Sequence, residues 1–261
     1  MRWLSKTVER LKGGSAPAGA AVVPDGVRVY AVGDIHGRVD LLNSLLDLIS
    51  DDVTAEAGEA EVTLVFLGDY VDRGPDSRLV IETLRQLKAY AGDRVSMLKG
   101  NHEEALLGFI ADPASGPLWT DFGGRETLRA YGVNPPHLRA DTEGWIEARD
   151  AFVAAIPDDH MRFLESLRLT ETIGDYLFVH AGVRPGVPLS DQKEKDLLWI
   201  REEFLQSRRA LDQMVVHGHT PTEKPEIMNG RIGVDTGAYA TGVLTALVLQ
   251  GETRSFLQTG G

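Results

Sequence analysis

The sequence contains no cysteine, which excludes disulfides, thiolate-held metals and cysteine nucleophiles. Basic residues are scarce: 27 Lys and Arg stand against 39 Asp and Glu, a formal net charge of −12. That balance argues against a broad basic surface gripping nucleic acid, and no nucleic-acid partner is expected. Long apolar runs are missing as well, none approaching the roughly 20 residues of a bilayer span. No transmembrane segment is therefore expected, and the expected location is the cytoplasm. What remains is a chain of 261 residues, 43% apolar, enough for one large domain or two small ones. Any metal it binds must sit on oxygen and nitrogen.

Leu4, Val8 and Leu11 recur at helical spacing among Arg2, Lys6, Arg10 and Lys12, and Gly13 to Gly26 is rich in Gly, Ala and Pro. Residues 1–26 read as a mobile amphipathic tail and linker. From Val27 onward, residues 27–261 read as a single domain with a βα rhythm. Val27–Val32 runs into Gly33-Asp34-Ile35-His36-Gly37, and Leu41, Leu42, Leu45, Leu46 and Ile49 follow at helical spacing. Val62–Leu67 runs into Gly68-Asp69-Tyr70-Val71-Asp72-Arg73-Gly74, and Val95–Leu98 into Gly100-Asn101-His102-Glu103, each again followed by a helical pattern. Parallel strands would place these turns along one sheet edge, where open α/β sheets bind ligands. Residues 104–170 keep helical spacing broken by prolines and glycines and read as a helical insert, with Trp119, Phe122 and Tyr131 as its core and His137 and His160 as structural residues. Tyr176–Val179 ends in His180-Ala181-Gly182, and Met214–Val216 in His217-Gly218-His219-Thr220. Ile232–Val234 enters Asp235-Thr236-Gly237, and Val243–Leu249 is a further strand candidate.

Were these turns to converge, Asp34 and His36 would point to one side and grip one cation. Asp69 would bridge it to a second cation held by Asn101, His180 and His219. Such mixed donors suit manganese, iron or zinc better than calcium. Two divalent ions bring +4 against −2 from Asp34 and Asp69, a centre that attracts a phosphate dianion. A cation pair about 3.5–4 Å apart lowers the pKa of a bridging water for in-line attack on phosphorus. His102 would protonate the departing oxygen, Asp72 would orient His102, and Arg73 would fork two phosphate oxygens.

These blocks, in this order, resemble the signature of the phosphoprotein phosphatases among the calcineurin-like metallophosphoesterases, bacterial and phage members in particular. The resemblance covers roughly Val27 to Leu249 and implies a fold of two mixed β-sheets packed as a sandwich flanked by helices. It implies the same assignments: metal on Asp34, His36, Asp69, Asn101, His180 and His219, with His102 and Asp72 as the acid pair and Arg73 on phosphate. It adds Arg201 as a second phosphate clamp, and its Gly-His-Thr favours His219 over His217. Two divalent ions are implied, manganese first, with iron or zinc as alternatives.

The expected activity is a metal-dependent phosphomonoesterase, a serine/threonine protein phosphatase acting on phosphorylated protein or peptide, with small phosphate esters as further substrates. Hydrolysis of dinucleoside polyphosphates is the alternative, and a silent phosphate-binding protein a third reading. Asp72 and Glu103 weigh toward protein phosphatase, because dinucleoside tetraphosphatases often carry Ala and Asp at those places. Lys99 stands where many relatives have Arg, replacing a bidentate contact by a point charge. The chain lacks the long carboxyl-terminal region of eukaryotic members, so regulatory subunits are not implied.

Overall fold

A computed structural model describes residues 21–207 and 212–260. Most of the expected tail, residues 1–20, lies outside the described residues. The last part of the expected linker is docked: Val23 is buried between the sheets, the Val22 amide donates to Asp175 Oδ2 at 2.9 Å, and Tyr176 Oη donates to the Ala21 carbonyl at 3.0 Å. The apolar Ala21-Val22-Val23 run gains more from burial there than a solvated linker would retain.

Ten strands form two five-stranded sheets, as the resemblance implied. In the first, β1 (Val27–Val32), β2 (Glu61–Phe66) and β3 (Val95–Met97) run parallel, and β9 (Thr245–Gln250) and β10 (Thr253–Gln258) extend the β1 side antiparallel. In the second, β5 (Tyr176–Val179), β6 (Met214–His217) and β8 (Arg231–Gly233) are parallel, edged by antiparallel β4 (Thr170–Ile173) and β7 (Glu226–Met228). The period-2 geometry of β1 sorts its residues. Val29 and Ala31 face Tyr176, Phe178, Val216 and Ile232 across the sandwich, while Tyr30 and Val32 join the helical layer.

That layer contains α1 (Val39–Glu56), whose buried stripe is Leu41, Leu42, Leu45 and Ile49, and α2 (Ser77–Ala91) with Val80, Ile81 and Leu84. It continues through α3 (Asn101–Ala111), α4 (Gly116–Trp119), α5 (Arg125–Ala130), α6 (Thr142–Ala155) and α7 (Asp158–Glu165). Phe109, Trp119, Trp145 and Phe152 interlock at ring separations of 5.0–6.5 Å and fix this helical segment to the core. On the far side of the second sheet, α8 (Glu194–Trp199) and α9 (Glu202–Leu205) cover Leu177, Val179 and Val215. The short α10 (Ala238–Thr241) follows the Asp235 turn. No helix among the described residues is long and apolar enough to cross a membrane.

The parallel strands of both sheets deliver their following loops to one end of the sandwich. The functional side chains are gathered there.

Candidate functional site

The backbone first marks the site. Five non-glycine residues among those described have left-handed φ: His36 (47°), Asp69 (53°), Asp72 (72°), Arg73 (67°) and His219 (64°). All five were singled out from the sequence. Each such residue costs about 1–3 kcal/mol, a strain that persists only where surrounding structure holds it. Part of the holding is done by glycines: a Cβ on Gly100 would collide with Oδ1 of Asp69, and one on Gly218 with Oδ1 of Asp34.

Asp69 occupies the centre, its carboxylate buried and its two oxygens facing different histidines. Oδ1 is 3.4 Å from His180 Nε2, and Oδ2 is 3.5 Å from His36 Nε2 and 3.9 Å from His102 Nε2. The ligand atoms of His36, Asp69 and His102 lie within 4.8 Å of one another, and so do those of Asp69, His180 and His219. These two groups, sharing Asp69, can each hold a metal ion. On the second side, Asn101 Oδ1 lies 2.9 Å from His180 Nε2 and 2.8 Å from His219 Nδ1. Asp34 adjoins these groups: its carboxylate accepts from the His219 amide at 3.0 Å and neighbours Asp235 and Asp69. His102 Nε2 approaches Asp69 from the His36 side. His217 is buried, its Nδ1 3.0 Å from the Gly218 carbonyl and its ring against Phe204, and it is not a member of either group.

The protonation pattern fits bound cations. His36 Nδ1 lies 2.9 Å from the Val71 carbonyl and His180 Nδ1 2.8 Å from that of Leu67, so Nδ1 is the donor in each ring. Burial pushes His36 down to about 3, lowers His180, and pushes His219 down to about 2. These imidazoles are therefore neutral, and the Nε2 atoms of His36 and His180 carry lone pairs toward Asp69 and Asn101, oxygen acceptors with no proton to share. Nε2 of His219 is buried with no hydrogen-bond partner. Burial raises Asp34 well above the carboxylate range, reinforced by Asp235 and Asp69, and pushes Asp235 up to about 6. Lone pairs and carboxylates crowded in a buried space are complementary to positive charge.

His102 is placed for a different task. Its Nδ1 lies 2.7 Å from Asp72 Oδ2, and its Nε2 is 3.2 Å from Arg73 Nη2. Burial alone would lower its pKa, but the carboxylates of Asp69 and Asp72 outweigh burial and raise it. Asp72 is itself anchored: Trp119 Nε1 donates to Oδ2 at 2.8 Å and Thr127 Oγ1 to Oδ1 at 2.6 Å. Trp119, expected only as core, is thus also a partner of the dyad, and the sequence carried no signal for that bond. Tyr131 is buried and bonded to His160, whereas Phe122 is 49% exposed and is not the core residue expected. The helical path breaks beside it at Gly123 (φ 113°), whose carbonyl accepts from the Arg73 amide at 3.1 Å.

Glu103 is fully buried. Its carboxylate accepts from the amides of Asp69 (2.9 Å), Gly100 (2.9 Å), Tyr70 (2.8 Å) and Val71 (3.2 Å). It ties the second turn to the third and faces no substrate, so its identity carries no weight in choosing between substrates. Arg73 spans the space between His102 and the Tyr239 ring, its guanidinium 4.7 Å above that ring. Arg201 is exposed at the rim, Nη1 3.4 Å from Thr220 Oγ1, and Lys99 is paired with Glu194 at 3.0 Å.

The sequence model of the calcineurin-like phosphoesterases matches residues 27–244. The chain belongs to the calcineurin-like phosphoesterase family. Membership implies divalent metal ions, which the two His/Asp groups can hold. The chain is 28% identical over 237 residues to the asymmetrical bis(5'-nucleosyl)-tetraphosphatase PrpE of Anoxybacillus flavithermus, covering 83% of this chain and 88% of that protein. It is 32% identical over 156 residues to the symmetrical bis(5'-nucleosyl)-tetraphosphatase of a Janthinobacterium species, covering 60% of this chain and 44% of that protein. A crystal structure of a candidate diadenosine tetraphosphatase superposes with a TM-score of 0.62 at 25% identity, over 93% of this chain and 100% of its own.

Proposed function

We propose that this phosphoesterase hydrolyses dinucleoside polyphosphates. The observation that carries the reading is end-to-end similarity to an asymmetrical tetraphosphatase, 83% of this chain against 88% of that relative. It replaces the protein-phosphatase reading as the first choice. Of the two positions that had weighed against nucleotides, Glu103 does so no longer, since it is scaffold, whereas Asp72 still favours a substrate whose leaving oxygen needs a proton.

In this reading His36, Asp69 and Asp34 hold one divalent cation, and Asp69, Asn101, His180 and His219 hold the other, with manganese, iron or zinc fitting the mixed donors. When bound, such ions lower the pKa of a water and neutralise phosphoryl charge. Asp69 fixes the spacing of the two groups through its separate oxygens. Arg73 clamps phosphate oxygens beside His102, and Arg201 does so at the opposite rim. With Asp72 accepting from Nδ1, His102 would carry its second proton on Nε2 and pass it to the departing oxygen.

The His102–Asp72 pair also supports a second reading, phosphomonoester hydrolysis including phosphoserine and phosphothreonine in proteins. An alkoxide leaving group needs a proton, whereas a nucleotide leaves as a phosphate with a pKa of about 6 and needs little help. The deciding experiment offers the manganese-loaded protein diadenosine tetraphosphate and phosphoserine and phosphothreonine peptides side by side. Nucleotide turnover with higher kcat/KM, releasing ATP and AMP, is expected. Faster turnover of the peptides would reverse the order of the two readings.

A further inference from the structure

Two exposed aromatic rings stand at opposite ends of the cation-binding groups. Tyr239, on α10, is 41% exposed, and its ring centroid is 5.5 Å from that of His36, in the first group. Trp199, at the end of α8, is 37% exposed, and its centroid is 6.3 Å from that of His219, in the second group. Both rings meet their histidine edge to face, at 86° and 81°.

Neither ring is loose. Arg73 lies over Tyr239, and Trp199 Nε1 donates to Glu104 Oε2 at 2.5 Å. A pinned indole or phenol loses little rotamer freedom when a flat ligand covers it. Each aromatic also comes with an arginine: Arg73 with Tyr239, and Arg201, two residues beyond Trp199, reaching Thr220 beside His219. A guanidinium thus stands over the π face at Tyr239, and a second lies on the other side of Asp69, on the Thr220 side of the Trp199 end. A base joined to a phosphate is the chemical unit that such a pair matches, since every base has a face to stack and every phosphate accepts a fork.

We propose that Trp199 and Tyr239 are the stacking platforms for the two bases of a dinucleotide whose polyphosphate lies across the cation groups between them. The inference rests on the dinucleoside reading above and makes these two residues the determinants of nucleotide over simple phosphate.

The test is calorimetric titration of the manganese-loaded full chain with ADP and, in parallel, with pyrophosphate, which has the phosphates and lacks the base. Wild type should bind ADP more tightly than pyrophosphate. Trp199→Ala and Tyr239→Ala should each weaken ADP binding, with the double variant losing about ten-fold or more, while pyrophosphate affinity moves far less. Trp199→Phe and Tyr239→Phe, which keep a ring, should retain the ADP preference and so separate stacking from misfolding. Equal loss for both ligands, or unchanged ADP affinity in the double alanine variant, would overturn the proposal. The dinucleoside reading fails separately: a wild type that leaves diadenosine tetraphosphate uncut yet shows the ring-dependent ADP preference refutes that substrate and supports the platforms.

Discussion

Nδ1 of His102 lies 2.7 Å from Oδ2 of Asp72, which fixes the ring so that Nε2 faces Asp69 and Arg73. With Asp69 it also raises the pKa of the imidazole despite burial. If the acid form is the working form, kcat on an alkyl phosphate such as glycerol phosphate should fall as pH rises through the pKa of His102. Asp72→Asn should move that fall to lower pH. A pH profile identical to wild type would remove Asp72 from this role.

His102→Asn should slow alkyl phosphates by about 10²–10⁴, and diadenosine tetraphosphate much less, because only the former expel a strongly basic oxygen. The ratio of kcat values on the two substrates is the measurement. Equal slowing would show that His102 serves something other than protonation of the leaving group.

Asp69→Asn keeps the shape of the side chain but removes the charge that faces His36 and His180 from its two oxygens. Metal content by elemental analysis should drop below two ions per chain, and turnover should be lost with the circular dichroism spectrum unchanged. Two ions retained in the variant would contradict the shared-carboxylate arrangement.

Glu103→Ala strips the acceptor from four amides, those of Asp69, Tyr70, Val71 and Gly100. Buried donors left without partners cost about 1–3 kcal/mol each, so urea denaturation should show a loss of about 3 kcal/mol or more. Glu103→Gln keeps an acceptor oxygen and should lose distinctly less. Burial and Asp69 push Glu103 up to about 7, which makes a neutral replacement tolerable in that setting.

Burial holds His36, His219 and His217 at about 3, 2 and 4, below the ordinary 6.5. Between those values and 6.5 these three rings leave the unfolded chain with more protons than the folded one, so their contribution to stability is full above about 6.5 and declines as pH falls below it, whereas Glu103, pushed up to about 7, and Asp235, pushed up to about 6, act in the opposite sense over the same window. The measurement is therefore a comparison: between pH 7 and pH 5 the melting temperature of metal-stripped His217→Gln should lose less, or gain more, than that of metal-stripped wild type. Identical pH dependence in the two would mean that the His217 ring is charged in the folded state.

The strands that hold the site were readable because they are buried runs of Val, Leu, Ile and Phe closed by glycine turns. β1 and β5 fall on the expected residues, and β2, β3, β6, β8 and β9 differ from expectation only at their ends. The strands that escaped notice are β4, β7 and β10, all sheet edges, where Thr172 and Thr253 are exposed and Thr170, Glu171 and Glu226 half-buried, which breaks the apolar signal. The His, Asp and Asn residues of the turns were legible by type and spacing. Their partners were not, since nothing local in the sequence links Trp119 or Thr127 to Asp72, or Glu103 to four amides. Asp235 was noted as a turn residue, and its position against Asp34 follows only from the way β8 delivers it.

The bond from Trp119 to Asp72 makes the helical segment over the site and the His102–Asp72 pair beneath it one inheritance. A graft that exchanged α4 and α5 for foreign helices, to recruit another substrate, would also unseat the dyad unless the newcomers brought an indole and a hydroxyl to the same two carboxylate oxygens. The helical segment and the His102–Asp72 pair are therefore not separable modules, and a change made in one will be read out in the other.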